Sequence, residues 1–143
     1  MLVLDTDHLV ELDLGSPAGV LLRERLDAAD DHIATTIISA EEQLRGWLAQ
    51  IHRLPAVHRQ IVAYERLQRR MEFFAAWQVL PWTSAAADVF EELRRKQIRI
   101  GTMDLKIAAI VLTQDATLLS RNLVDFRKVP NLRVQDWTKH EQS

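Results

Sequence analysis

The chain has 143 residues, 48% of them hydrophobic and 27% charged, with four Gly, four Pro and no Cys. One domain over residues 1–143 is expected, burying roughly two thirds of the unfolded surface, and the lack of Cys excludes a disulfide framework, Cys-ligated zinc, an iron–sulfur cluster and a thiol nucleophile. A net charge of −2 argues against nucleic-acid binding driven by bulk charge, yet residues 1–42 carry ten acids and two bases while residues 43–100 carry ten bases and five acids.

Met1-Leu-Val-Leu-Asp5 has no basic leader region and no long apolar stretch, so neither a signal peptide nor a membrane span is expected, and a cytoplasmic location follows. Leu2–Leu4 is apolar without alternation, as in a strand covered on both faces. Ser16-Pro17 pairs an N-cap with a first-turn proline and opens a helix to about Asp30. Residues 33–38 predict a second buried strand. Ser39 is the expected cap of the next helix, with Glu41 and Glu42 in its first turn, where acids are favourable. Leu44, Trp47, Leu48 and Ile51 repeat at helical spacing. Beyond Pro55, the series Val57, Ile61, Tyr64, Leu67, Met71 and Phe74 predicts a second helix, making a long helical pair.

Residues 79–82 predict a brief strand containing Pro81. Ser84 is the expected cap of a helix with Ala87, Phe90 and Leu93 inward. Gly101 breaks the chain, and Thr102 is the expected cap of a deep helix from Met103 to about Thr113, apolar all round at residues 107–112. Residues 116–119 predict another buried strand and residues 132–134 an edge strand. Strands alternating with helices predict a three-layer α/β/α domain around a mostly parallel sheet. In such sheets ligands bind beyond the carboxyl ends of the strands.

Four acids fall at that edge. Asp5 follows the first strand, Glu42 lies one turn into the helix after the second, Asp104 opens the deep helix, and Asp125 comes just after the strand at 116–119. Each alone has an ordinary explanation as a cap or turn residue. Together they would repel one another and raise their own pKa values. Hard cations with oxygen ligands, Mg²⁺ or Mn²⁺, relieve such repulsion and can activate water against a phosphodiester.

Leu4-Asp5-Thr6-Asp7, Glu42-Gln-Leu-Arg-Gly46, Gly101-Thr-Met-Asp104 and Ser120-Arg-Asn122-Leu-Val-Asp125-Phe126 together resemble a PIN domain. More narrowly, the chain resembles the VapC-type toxin ribonucleases of bacterial toxin–antitoxin pairs, from Leu2 to Trp137. The resemblance implies an endoribonuclease with Asp5, Glu42, Asp104 and Asp125 as acidic site residues, Asp5 and Asp104 holding Mg²⁺ or Mn²⁺, and Thr6, Ser120 and Asn122 in support. It implies as partners an RNA substrate and a small antitoxin that wraps the domain. A homodimer is expected, with contacts on the helical pair, where Trp47 and Phe73 are candidates. Asp7 departs from the family, which usually has Asn there; a local capping role is expected of it.

Arg45, Lys106 and Arg121 neighbour the acids and are candidate RNA contacts. The five His show no ligand spacing, and His8 is expected to be an ordinary surface or core residue. Trp47, Phe73, Phe74 and Trp77 suit a core or an oligomer face better than stacking platforms for bases. Two other classes fit parts of the pattern. Asp5-Thr6-Asp7 suits a haloacid-dehalogenase-like phosphatase, but the later paired acids of that chemistry are missing. A non-catalytic RNA-binding α/β module suits the fold, but has no use for clustered charge.

Overall fold

Val3 and Leu4 are fully enclosed and Leu2 nearly so, although successive residues of a strand point to opposite faces. Both faces of this strand, β1 (Leu2–Leu4), are therefore covered. The computed structural model describes residues 1–140, so the last three positions of the expected unit lie outside the described residues. Five strands form one sheet in the order β3-β2-β1-β4-β5, with β2 at Ile33–Thr36, β3 at Val79–Leu80, β4 at Thr117–Leu119 and β5 at Arg133–Gln135. Every neighbouring pair is parallel, and Leu4 stands level with Leu119 and Leu119 with Gln135. The next residues along the chain, Asp5, Ser120 and Asp136, consequently emerge together at one edge.

Helices cover the two faces. Val3, Ala34 and Leu118 pack with α5 (Ser84–Arg95) and α6 (Thr102–Thr113), whose Ile107, Ile110 and Val111 are almost fully enclosed. Leu2, Leu4 and Leu119 pack with α1 (Thr6–Leu14) and α2 (Pro17–Ala29) through Leu9, Leu12, Leu22 and Leu26. Burying each such side chain contributes about 1.5–3 kcal/mol, which makes these two layers the main driving force. The pair α3 (Ile37–Arg53) and α4 (Gln60–Ala75) completes the domain, joined through a 3₁₀ turn at Val57–Arg59.

Capping moves several expected boundaries. The strand predicted over 33–38 stops at Thr36, whose hydroxyl accepts the Ser39 N–H at 3.1 Å, so Thr36 and not Ser39 caps α3. Ile37 and Ile38 are then helical, and Glu41 and Glu42 shift from the first turn to the second. Likewise Thr83, not Ser84, caps α5 by accepting the Ala86 N–H at 3.1 Å. Gly101 occupies the cap position of α6, and Thr102 is its first helical residue with no capping hydroxyl. The strand predicted over 79–82 ends at Leu80, before Pro81. Those predicted over 116–119 and 132–134 each begin one residue later, the last also ending one residue later.

Two helices carry no clear sign in the sequence. In α1, Leu9, Val10, Leu12 and Leu14 are too dense to show one face, yet Leu9 and Leu12 are buried and Leu14 is exposed. The single turn α7 (Leu123–Phe126) is held by Asn122, whose side chain accepts the Asp125 N–H at 3.4 Å. The apolar series on α4 also divides. Phe74 is buried, while Val57, Ile61, Tyr64 and Met71 are exposed.

Candidate active site

Asp5 sits where β1 turns into α1. Its backbone N–H donates to the Leu119 carbonyl at 2.9 Å, the last step of the β1–β4 ladder. Its carboxylate caps α1, one oxygen accepting the Thr6 N–H at 2.8 Å and the other the Ser120 hydroxyl at 2.8 Å. The side chain is nearly enclosed, and burial followed by the charge of Asp7 pushes its pKa up to about 7 despite those two hydrogen bonds.

Around it the other acids gather from distant segments. Thr6 donates its hydroxyl to Glu42 at 2.9 Å, bringing α3 to α1. The Glu42 pKa is raised, first by burial, then by the Asp104 and Glu41 charges, against the Thr6 hydrogen bond. Asp104, in the first turn of α6, is raised by burial and by the charge of Asp125. The Asn122 amide bridges those last two, donating to Asp104 at 3.4 Å and to Asp125 at 3.1 Å. Asp125 alone is lowered, by the Asn122 amide and by Lys128 at 3.4 Å. Thus Asp5, Glu42, Asp104 and Asp125 come to one edge, with Thr6, Ser120 and Asn122 as the polar groups that fix them.

The basic candidates are less directly placed. Arg45 pairs with Glu41 rather than Glu42. Lys106 lies over the Trp82 ring, 5.8 Å from its centre. The Arg121 guanidinium turns to the Thr138 hydroxyl and to Glu11, and only its backbone N–H faces the acids, donating to Asp7 at 3.0 Å.

Asp7 and His8 are the residues whose part the sequence did not reveal. Asp7 does not cap its own turn: Asp5 does that. One Asp7 oxygen accepts from Arg121 N–H and, at 3.2 Å, from Ser120, pinning the loop after β4; the other meets His8 Nδ1 at 2.6 Å. His8 is fully buried and its Nε2 accepts the Trp137 N–H at 3.1 Å. That acceptor role puts a ring proton on Nδ1, which donates to Asp7. The phosphatase alternative needs Asp7 available beside Asp5, whereas both its oxygens are engaged. No sequence signal could announce a contact spanning 129 positions, though the adjacency of Asp7 to Asp5 marked it for scrutiny.

The model of the PIN domain family matches residues 2–132. The chain belongs to that family. Among relatives, this PIN domain is 25% identical to Ribonuclease VapC1 of Haemophilus influenzae over 138 residues, covering 96% of this chain and 98% of that one. It is 29% identical over 80 residues to Ribonuclease VapC2 of Rickettsia felis, a match spanning 52% of this chain and 60% of that relative's length. The structure of VapBC-1 from nontypeable Haemophilus influenzae superposes with a TM-score of 0.75 at 24% identity, covering 96% of this chain and 98% of that one. At that identity the likeness establishes a shared fold.

Oxygen donors dominate the site, which suits a hard cation. Among the described residues no three His, Asp or Glu side chains form a complete metal cage. Mg²⁺ does not need one, because it keeps several waters and takes one or two carboxylates from the protein. Asp5, whose pKa the Asp104 charge helps to raise, and Asp104 itself are the pair that could hold it. Among the described residues no helix is long and apolar enough to cross a membrane.

Proposed function

We propose that this PIN domain is a metal-dependent endoribonuclease, using Mg²⁺ or Mn²⁺, and the toxin of a bacterial type II toxin–antitoxin pair. The observation that carries it is the convergence of four acids from separate segments, three of them with raised pKa values. Burying repelling carboxylates costs stability, and a bound cation reverses the sign of that interaction. When bound, the cation supplies a Lewis acid that activates water and offsets charge on the departing oxygen. Asp5 and Asp104 would hold it, Asn122 orients Asp104 and Asp125, and Ser120 and Thr6 fix the lone pairs of Asp5 and Glu42. Glu42, whose pKa is raised, is placed to take or hold a proton, whereas Asn122 and Lys128 favour the carboxylate form of Asp125.

Similarity to the VapC ribonucleases and to the VapBC-1 structure supports RNA as substrate and a small protein as partner. An antitoxin would present an Arg or Lys to the acidic edge, where a cationic side chain replaces the metal's charge. Incubated with cellular RNA and Mn²⁺, the purified chain should leave 5′-phosphate and 3′-hydroxyl ends. EDTA or Asp104→Asn should abolish the cleavage. Ends carrying 2′,3′-cyclic phosphate would refute a hydrolytic mechanism. Expressed alone in bacteria, the chain should arrest growth, Asp5→Ala should not, and the small protein encoded beside it should rescue.

A further inference from the structure

One helical turn along α1 from Thr6, α1, α3 and α4 line a half-open cavity of about 490 Å³. That volume lies within the roughly 300–1,000 Å³ typical of ligand pockets. Gln43, next in the chain to Glu42, lines it and is 8% exposed, and neither its amide nitrogen nor its amide oxygen has a hydrogen-bond partner among the described residues. A buried amide left unpaired is destabilising, and each such group in a folded protein calls for a physical account.

Its surroundings supply one. Trp47, one turn along α3, shares the cavity with Arg66, whose guanidinium lies 6.0 Å from the centre of its ring. Arg70 is neutralised by Asp13 at 2.8 Å and lies over Phe73, 5.1 Å from the ring centre. Arg66 and Arg69 form no ion pair among the described residues, so the cavity keeps net positive charge. An amide offers a donor and an acceptor side by side, the pattern that pairs with a base edge. Aromatic and guanidinium planes stack on unpaired bases, and arginines bind phosphates.

We infer that this cavity is a nucleotide subsite for single-stranded RNA, in which Gln43 reads one base, Trp47 stacks on it, and Arg66 and Arg69 hold the flanking phosphates. The inference rests on the ribonuclease reading and adds to it a specificity-determining position. Glu42 and Gln43 are consecutive on α3, so the helix that lines the cavity is the one that carries Glu42 to the acidic edge. An acidic peptide segment also suits the arginines, but does not account for an amide enclosed beside an indole.

The test uses the full chain carrying Asp104→Asn, so that RNA is bound and not cut. The probes are fluorescein-labelled single-stranded RNAs of about 12 nucleotides, in mixed sequence and as runs of A, U or C, followed by anisotropy between about 50 and 200 mM salt. Gln43→Leu should leave the melting temperature unchanged or raised, weaken binding about tenfold and flatten the preference among bases. Arg66→Ala with Arg69→Ala should lower the slope of log affinity against log salt by about 1.4. An RNA bearing 5-iodouracil should cross-link to the peptide containing Trp47. Wild-type affinity and slope in both variants would overturn the subsite. If the same substitutions in the active chain leave cleavage in Mn²⁺ unchanged, the subsite falls and the ribonuclease reading stands. A wild-type chain that neither cuts nor binds RNA overturns both. Variants that keep RNA binding but escape inhibition by the neighbouring-gene protein assign the cavity to a protein segment, which also overturns it.

Discussion

At Asp5, burial and the nearby charge of Asp7 outweigh two well-formed hydrogen bonds, and the carboxyl holds its proton up to about pH 7. In the unfolded chain the same group titrates near 4. Between those values the folded state binds more protons, so in the metal-free protein stability falls as pH rises from about 4 to about 7 and then levels off. Replacing the acid with an amide keeps an acceptor for the Thr6 N–H and removes the charge. Asp5→Asn should therefore be more stable than wild type at pH 8 in EDTA, by about 2–4 kcal/mol, with the gap closing near pH 4. Urea unfolding of both proteins at the two pH values decides it. A variant weaker than wild type at pH 8, with the same pH slope, would show that the hydrogen bonds dominate. The four acids were legible in the sequence because each stands within about two helical turns of a strand end or a helix start. The Asp7–His8–Trp137 chain was not, because it depends on how β5 and its following turn come back to α1.

Among elements, α1 and α2 approach one another closely. Gly15 ends α1 with φ of 62°, a conformation in which side chains other than Gly are strained, and turns the chain back on itself. A Cβ placed on Gly19 would then lie 2.0 Å from the Glu11 carbonyl oxygen. That oxygen is backbone and cannot rotate away, so α2 must shift by a large fraction of a contact distance. Gly19→Ala should cost about 3 kcal/mol or more, at or beyond the upper end of ordinary overpacking. It should also loosen the α1 N-terminus that carries Asp5. Thermal denaturation measures the first effect, and a melting temperature within a degree or two of wild type would contradict the packing seen here. Helix positions were legible wherever one apolar stripe stood out, as in α5, or where a helix was apolar throughout, as in α6. Their starts were less so, because hydroxyls at Thr36 and Ser39, or at Thr83 and Ser84, compete for one cap, and backbone direction selects between them.

On the scale of the whole molecule, the apolar series of α4 is two stripes. Ala63, Leu67, Arg70 and Phe74 turn inward or lie at the packing boundary, whereas Ile61, Tyr64 and Met71 lie along the neighbouring flank and Val57 in the preceding 3₁₀ turn, all four with exposures of 52% to 74%. A sequence pattern at spacing of three and four cannot separate these stripes, since both obey it. Leu48 on α3 and Val62 on α4 add further exposed apolar area. Scattered apolar residues are ordinary on a surface, but several exposed apolar residues along one flank of a helix mark an association face. A two-fold contact between such flanks satisfies itself, because each copy presents the same stripe to the other. We therefore expect the homodimer to form through the outer side of α4. Ile61→Glu with Met71→Glu places like charges at both ends of the row and should yield a monomer by sedimentation equilibrium. The fold and the Mn²⁺-dependent cleavage should survive, because neither residue reaches the acidic edge. A double variant that sediments as wild type does would place the contact elsewhere, and a wild-type monomer at the highest concentrations would leave the stripe to a different protein partner.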